Sequence, residues 1–304
     1  MTLLLAAVLL GALSVILVGP ASTWLARASW VSRAPRSAVI LWQSIGLSAI
    51  ASGIGAGLAV AGYRYHAGFA AGLRDLVTGL FDGHPLQGLG VPNALGLTLA
   101  ADLLIVLFAC FGSVVAGTVR ARARHRRLLN LLARQSSDYP GTDLLEDSRP
   151  VAYCLPGRRP RIVVSKGALE LLSSPQAKAV IEHERGHAHE HHGLVMLPMG
   201  GVRKLFAWVP YARLAPGGIA SLLEMSADDY SAKRNDPINL ATALVRMATS
   251  EHVPNCAFGA AANAVPRRVH RLLQDGRTSK RTALCCAIGA GVIISAPLAL
   301  MLFV

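Results

Sequence analysis

The stretch SPQAKAVIEHERGHAHEHHG, residues 174–193, predicts one long helix around which the rest of the chain is arranged. Ser174 is suited to the N-cap, Pro175 to the first helical position, and Gly193 to a helix stop. These signals predict a helix of about five turns.

The two histidines and the glutamate of the segment His-Glu-Arg-Gly-His, residues 183–187, fall on the apolar side of this helix when residues are placed 100° apart. That side holds Ala177, Val180, Ile181, His183, Glu184, His187 and Ala188, and the other side holds Lys178, Glu182, Arg185 and His189. Buried polar groups need a metal or hydrogen bonds. Histidines at i and i+4 suit one Zn²⁺ per chain, with Glu184 between them as the catalytic group that takes a proton from water.

A third metal ligand is expected from a second helix, predicted over residues 217–234 and ended by Asn235-Asp236-Pro237. Glu224 is the candidate ligand, and Asp228, one turn later, is placed to accept the N–H of a ligand histidine. Small residues beside this carboxylate face, Ala220, Ala227 and Ser231, would let the two helices approach closely. The alternative is that Glu224 and Asp228 form a solvated acidic face.

Composition indicates an α-helical membrane protein, because 53% of the residues are hydrophobic, 15% are charged, and the mean hydropathy is +0.44. Four stretches are long enough to cross a bilayer: residues 2–18, 38–61, 94–119 and 282–304. We therefore expect three transmembrane helices within residues 1–119, a metallopeptidase domain of mostly α, α+β structure at 120–281, and a fourth transmembrane helix at 282–304.

The distribution of Lys and Arg predicts the orientation in the membrane. The loop after the first span holds Arg27, Arg33 and Arg36 with no acidic residue, and most of the other basic residues lie in 120–281. By the positive-inside rule, both segments face the cytoplasm and both termini face outward. The arginines between positions 120 and 127 are expected at lipid headgroups. No direct nucleic-acid partner is expected, because no such motif is present.

Shorter elements are also predicted in this domain. Residues 152–155 and 161–164 flank Pro156-Gly157 and form a hairpin, and a short helix follows at 167–172. Residues 194–214 are interrupted by Pro and Gly, which favours an amphipathic piece at the membrane surface over a fifth span. His189, His191 and His192 are expected as surface histidines, with a second metal site as the alternative.

Glu224-Met-Ser-Ala-Asp228, downstream of the His-Glu-Arg-Gly-His segment, resembles the gluzincin pattern of zinc peptidases. Together with the spans and with residues 152–165, the chain resembles the BlaR/MecR antirepressor peptidases. The resemblance implies a zinc endopeptidase of the bacterial cytoplasmic membrane that acts in signalling, such as a beta-lactam response, by cleaving a cytoplasmic winged-helix repressor of the BlaI/MecI kind. The chain ends at Val304 with the fourth span, so a C-terminal penicillin-binding sensor domain is expected to be absent.

The run Val265-Pro-Arg-Arg-Val-His-Arg-Leu-Leu273 resembles an element of HtpX-type membrane gluzincins and makes Arg268 a possible oxyanion stabiliser. The His-Pro that precedes that element is missing, so Tyr230 or His270 could have taken the role, and plain packing is another alternative. The function alternatives are an HtpX-like quality-control protease and a non-catalytic zinc-stabilised protein that binds a partner. The substrate, the oligomeric state and the inducing signal stay open.

Overall fold

The computed structural model describes residues 2–62, 74, 77–79, 81–82, 90–250, 258–274 and 279–303. The helices, in chain order, are α1 (Thr2–Ile16), α2 (Ser22–Arg27), α3 (Pro35–Gly62), α4 (Val91–Leu132), α5 (Lys166–Leu171), α6 (Ser174–His189), α7 (His192–Val195), α8 (Leu197–Leu205), α9 (Pro210–Ala232), α10 (Pro237–Thr249), α11 (Phe258–Leu273) and α12 (Lys280–Phe303). A π-helical turn, Leu17–Ala21, joins α1 to α2, and a 3₁₀ turn, Ser29–Arg33, precedes α3. The strands are β1 (Ala133–Gln135), β2 (Thr142–Leu145), β3 (Ala152–Leu155) and β4 (Arg161–Ser165).

Four helical segments within the described ranges are long and apolar enough to cross a membrane: Leu3–Arg27, Pro35–Gly62, Val91–Leu132 and Lys280–Leu302. The prediction of four apolar helices is therefore confirmed. The first continues beyond residue 18 through the π turn, which contains Pro20 and therefore lacks one backbone donor.

The third apolar helix is longer than predicted. It runs for 42 residues to Leu132, about 63 Å at 1.5 Å per residue, and carries the arginine-rich stretch as helix well past residue 119. A bilayer core takes only about 20 of these residues, so the end of α4 projects from the apolar bundle and leads directly into β1.

Helix α3 contacts α1, α4 and α12 and so lies at the centre of the apolar bundle. It approaches α4 most closely where glycines meet, because a Cβ on Gly57 would lie 2.8 Å from the Gly96 carbonyl oxygen. Small residues at such crossings allow close backbone packing in membranes. The N-terminal part of α3 also packs on α9, where Trp42 and Ile45 share one apolar core with Tyr211 and Ile219.

The sheet has the order β1-β2-β4-β3, with β2 and β4 parallel and the other two pairs antiparallel. The predicted hairpin of residues 152–155 and 161–164 is confirmed as β3 and β4, while β1 and β2 were not predicted. Strand β3 is an edge strand, and it contacts α6. This edge faces the cleft described below.

Helix α6 confirms the predicted long helix but differs at both ends. Its N-cap is Ser173, which forms a capping box with Gln176, so the assignment of the cap to Ser174 was wrong by one residue. The helix ends at His189 instead of reaching Gly193, because His191 adopts a left-handed backbone with φ of 53° and turns the chain. The short helix predicted at 167–172 is α5, and the second long helix, α9, begins earlier than predicted, at Pro210.

The stretch 194–214 is broken into α7, α8 and the start of α9. Helix α8 packs against α4 and α9, where Met199 is buried, while Arg203 and Lys204 remain exposed. Helices α7 and α8 are too short to span a membrane, and α9, although 23 residues long, is not among the helices apolar enough to do so.

Candidate metal centre and catalytic cleft

Helices α6 and α9 lie against each other at a point where α6 has no side chain. A Cβ on Gly186 would lie 3.0 Å from the Cβ of Tyr230 and 3.2 Å from the Cα of Ala227, so the helix backbones are nearly in contact. About two turns before Gly186 on α6, the Ala179 carbonyl oxygen accepts a hydrogen bond from Ser231 Oγ of α9 at 2.7 Å. The expected close approach is therefore present, with Ala227 and Ser231 in the contact, while Ala220 lines the cleft.

The close approach brings His183, His187 and Glu224 together as three potential metal ligands. The Nε2 atoms of the two histidines are 3.2 Å apart. Glu224 Oε2 lies 3.5 Å from His183 Nε2, and Glu224 Oε1 lies 3.4 Å from His187 Nε2.

These separations fit zinc. Ligand atoms about 2.0–2.1 Å from a tetrahedral Zn²⁺ are about 3.3 Å from one another, and all three observed separations are close to that value. The side chain of Glu224 is 39% exposed while that of His183 is 6% exposed, so one side of the triad is open to the cleft. An open side suits a catalytic zinc site, which keeps one position for water or substrate.

Asp228 lies behind His183, on the side of the ring away from Glu224. Its Oδ1 atom is 3.0 Å from His183 Nδ1, which is the relationship predicted from the spacing of Glu224 and Asp228. Burial by itself would raise the pKa of Asp228, but the hydrogen bonds from Arg268 and the nearby charges of Arg268 and His183 hold that pKa well below its usual range. The carboxylate stays charged and able to accept from the ring.

Arg268 of α11 is buried and pairs with the carboxylates of this centre. Its Nε and Nη2 atoms donate to Asp228 at 2.9 and 2.6 Å, and Nη1 lies 2.9 Å from Glu224 Oε2. Of the alternatives, Tyr230 stacks on His189 and under Arg234 instead, and His270 is exposed. Arg268 is therefore the one of these three candidates that contacts the centre directly.

Glu184 lies between the triad and the edge strand β3. Burial is the main cause that raises the pKa of its carboxyl group, and the cationic form of His183 opposes this shift. The nearby backbone amide of Cys154, in β3, also acts to lower the pKa of this carboxylate. Glu184 is thus placed at the cleft with a pKa shifted toward that of a general base.

The other ring nitrogen of His187 is occupied by a histidine that was expected at the surface. His192 is 4% exposed, and its Nδ1 atom lies 2.8 Å from His187 Nδ1. His192 Nε2 lies 3.1 Å from Glu190 Oε2. The surface prediction was therefore wrong for His192, while His189 and His191 are exposed as expected.

Glu190 collects contacts from three parts of the chain: His192, Ser226 of α9 and Arg36 of α3. Burial acts to raise its pKa, but these hydrogen bonds and the charge of Arg36 lower the pKa of Glu190 to about 2. Neither Glu190 nor Arg36 was singled out from the sequence as a site residue.

The polar side of α6 is also less exposed than the helical period predicted. Glu182 is 8% exposed, where Arg185 pairs with it at 2.6 Å. Arg185 additionally donates to the Pro140 carbonyl oxygen, in the loop between β1 and β2. That loop lies over this side of α6, and it was not expected because β1 and β2 were not predicted.

The open side of the centre continues into a cleft of about 500 Å³. Its lining combines the edge strand, the centre and apolar residues next to the bundle: Ala152, Tyr153, Cys154, Pro156, Glu184, His187, His192, Gly193, Met196, Ala220, Leu223 and Glu224. A second pocket of about 270 Å³ meets the first at Ala152, Glu184 and Glu224, and Leu240, Leu244 and Met247 line it. Glu184 thus lines both the cleft and the second pocket.

Residues 119–250 match the family model of Peptidase family M48. The matched region contains His183, Glu184, His187, Glu224 and Asp228 and ends before Arg268. The M48 match supports peptidase activity in a membrane protein and fits the zinc-compatible triad, because M48 peptidases are typically zinc-dependent. It does not bear out the more specific resemblance to BlaR/MecR. No curated protein and no solved structure matches the chain.

Proposed function

We propose that this chain is a membrane-bound zinc endopeptidase in which His183, His187 and Glu224 hold the metal and Glu184 is the catalytic base. The observation that carries the proposal is the triad itself, because each histidine Nε2 lies within 3.5 Å of the other and of an oxygen of Glu224, beside the Glu184 carboxylate in an open cleft. The M48 match over the same residues supports it.

The chain's own residues account for the proton transfers. Zinc, when bound, supplies Lewis acidity toward the peptide carbonyl and acidifies water. Glu184 takes the proton of the attacking water and returns it to the leaving amine, a role that its raised pKa favours. Asp228 holds His183 so that Nε2 faces Glu224, and Arg268 keeps Asp228 charged.

Strand β3 is the proposed binding edge for an extended substrate. Ser165 N–H donates to the Val151 carbonyl oxygen, so alternation directs the backbone groups of Ala152 and Cys154 away from β4. Those groups face the cleft, where the Cys154 amide already meets Glu184. A peptide that adds as a strand along this edge would lie beside the catalytic base.

Arg268 is proposed mainly to hold the carboxylates of the metal centre in place. Its additional proposed role is to stabilise the oxyanion that forms during peptide hydrolysis. All of its donor atoms face Asp228, Glu224 or His183. It also lines the smaller pocket together with Glu184, so its positive charge contributes to the field at the reacting carbonyl.

The peptidase site is proposed to face the cytoplasm. The loop between the first two spans binds the peptidase part directly, since Arg271 donates to the Ser32 carbonyl oxygen at 2.9 Å and Arg36 contacts Glu190. The loop and the site therefore lie at the same end of the apolar bundle, and the positive-inside rule favours the cytoplasm for both. The substrate is then a cytoplasmic protein or the cytoplasmic part of a membrane protein.

The proposed substrate class is a regulatory protein such as a BlaI/MecI-like repressor, which rests on the sequence resemblance alone. New protein N-termini should be compared across the proteome in cells that make equal membrane amounts of wild type or Glu184→Gln. One or two Glu184-dependent cuts in a DNA-binding repressor would support this class. Many cuts in membrane proteins would replace it by quality control of the HtpX kind, and an absence of cuts would favour the non-catalytic alternative.

A further inference from the structure

The two histidines of the centre are held from behind by different groups. His183 has Asp228 behind its ring, and Arg268 pairs with that carboxylate, an arrangement contained largely in helices α6, α9 and α11. His187 has His192, and behind it Glu190 and Arg36. Arg36 belongs to the first turn of α3, an apolar helix that lies outside the family match.

The hydrogen bonds along this second chain can all form with both rings neutral. If His187 binds the metal through Nε2, its Nδ1 atom carries the proton and donates to His192 Nδ1, 2.8 Å away. His192 then carries its proton on Nε2 and donates to Glu190 Oε2, 3.1 Å away. Each ring nitrogen thus either binds the metal or takes part in one hydrogen bond. The tautomer with its proton on Nδ1, which His187 needs in order to bind the metal through Nε2, is also the tautomer that can donate to His192.

Arg36 also joins the two helices that carry the ligands. Its guanidinium contacts Glu190, just after α6, while Nε donates at 3.1 Å to Ser226, which lies on α9 between Glu224 and Asp228. Ser226 in turn donates to Glu190. Through Arg36, the first turn of α3 is therefore hydrogen-bonded to Ser226 on α9 and to Glu190 at the end of α6, the two helices that carry the proposed ligands.

We propose that His192 is a positioning residue for the ligand His187, and that Glu190 and Arg36 extend this support to the membrane helix α3. The inference rests on the proposed zinc site. It means that residues 119–250 do not by themselves contain every group that fixes the metal, and that a displacement of α3 relative to α6 would loosen one ligand.

The test uses the full chain, purified in detergent. Zinc affinity is measured by competition with a chromophoric chelator, and ligand geometry by the visible d–d spectrum of the Co²⁺-substituted protein. His192→Ala should weaken zinc binding about 10- to 100-fold and alter the cobalt spectrum. His192→Asn, which keeps an acceptor at the position of Nδ1, should recover most of the affinity.

Arg36→Gln should weaken zinc binding in the wild-type background by a smaller factor than His192→Ala, and it should have little further effect in His192→Asn, where the ring that joins His187 to Glu190 is missing. Arg33→Gln removes the same charge from an exposed position in the 3₁₀ turn just before α3, and His189→Ala removes an exposed histidine, so both serve as matched controls. The controls should bind zinc as wild type does.

The outcomes separate this inference from the proposed function. If wild type binds no zinc, or if His183→Ala does not impair binding, the proposed zinc site itself is wrong. If wild type binds zinc and His192→Ala binds it equally well with an unchanged cobalt spectrum, the positioning role is overturned. If His192→Asn is as weak as His192→Ala although it elutes as a folded protein, acceptance of the His187 proton is not the role of His192.

Discussion

Asp228 Oδ1 lies 3.0 Å from His183 Nδ1, on the far side of the ring from the Nε2 atom that faces Glu224. At this separation the Asp228 carboxylate favours the His183 tautomer with its proton on Nδ1 and leaves Nε2 for the metal, without contact between Asp228 and the metal. The fully buried carboxylate of Asp228 is tolerated because Arg268 provides the compensating positive charge.

Replacement of Asp228 by Ala is therefore expected to lower zinc affinity by about 10- to 100-fold. The measurement is chelator competition on the purified chain. Asp229→Ala is the matched control, because Asp229 pairs with Arg271 at 2.7 Å and does not belong to the triad or its backing. Equal zinc affinities in the two variants would show that Asp228 does not orient His183.

Arg268→Ala should destabilise the fold as well as the site. It leaves Asp228, whose side chain is 1% exposed, without its bidentate partner, and breaking a buried ion pair from one side costs about 3–5 kcal/mol. Thermal unfolding in detergent should show a clearly lower midpoint. Arg267→Ala, one residue earlier on an exposed part of α11, should unfold close to wild type.

Gly186→Ala should push α9 away from α6. The added Cβ would lie 3.2 Å from the Ala227 Cα, a backbone atom that cannot rotate aside, so overpacking should cost about 1–3 kcal/mol and weaken zinc binding through Glu224. Gly217→Ala adds the same methyl group within α9, where nothing lies within 4 Å. The control should be neutral or stabilising, because Ala favours a helix over Gly by about 1 kcal/mol; a Gly186 variant that matched it in both readouts would refute the close-contact argument.

Ala152→Pro tests the proposed substrate edge. Proline is tolerated on an edge strand where its missing N–H would have faced away from the sheet, so β3 should persist while one backbone donor to the substrate is lost. The KM for a peptide substrate should rise several-fold with a smaller change in kcat, as expected for loss of uniform binding. Ala152→Gly keeps the N–H and should retain a KM near wild type; no KM difference between these two variants would argue against strand addition.

The triad was predictable because it depends on short-range spacing. His183, Glu184 and His187 share one face of one helix, and Glu224 and Asp228 share one face of another, so the helical period places them once the two helices are known to pack. The apolar spans were predictable for a related reason, since bilayer thickness sets their length. The BlaR/MecR resemblance was more specific than the M48 match supports, because the quoted motif is short.

The support behind His187 was not predictable in this way. His192 reaches His187 because His191 turns the chain with a positive φ, which the helical period of residues 174–193 does not contain. Arg36 is far from Glu190 in sequence and reaches it only through the packing of α3 on α9. Strands β1 and β2 are short, and β1 is largely polar, so they lack the alternation by which strands are recognised.

The central claim is tested most directly by zinc content and proteolysis of the purified full-length chain, compared between wild type and Glu184→Gln, with an unfolded protein as substrate. We expect about one zinc per chain in both proteins, the number that a single three-ligand site holds. Cleavage in wild type should be abolished by a chelator and restored by zinc, and it should fall at least about 100-fold in Glu184→Gln. Undiminished cleavage by Glu184→Gln, or zinc retained after replacement of His183 and Glu224, would contradict the account.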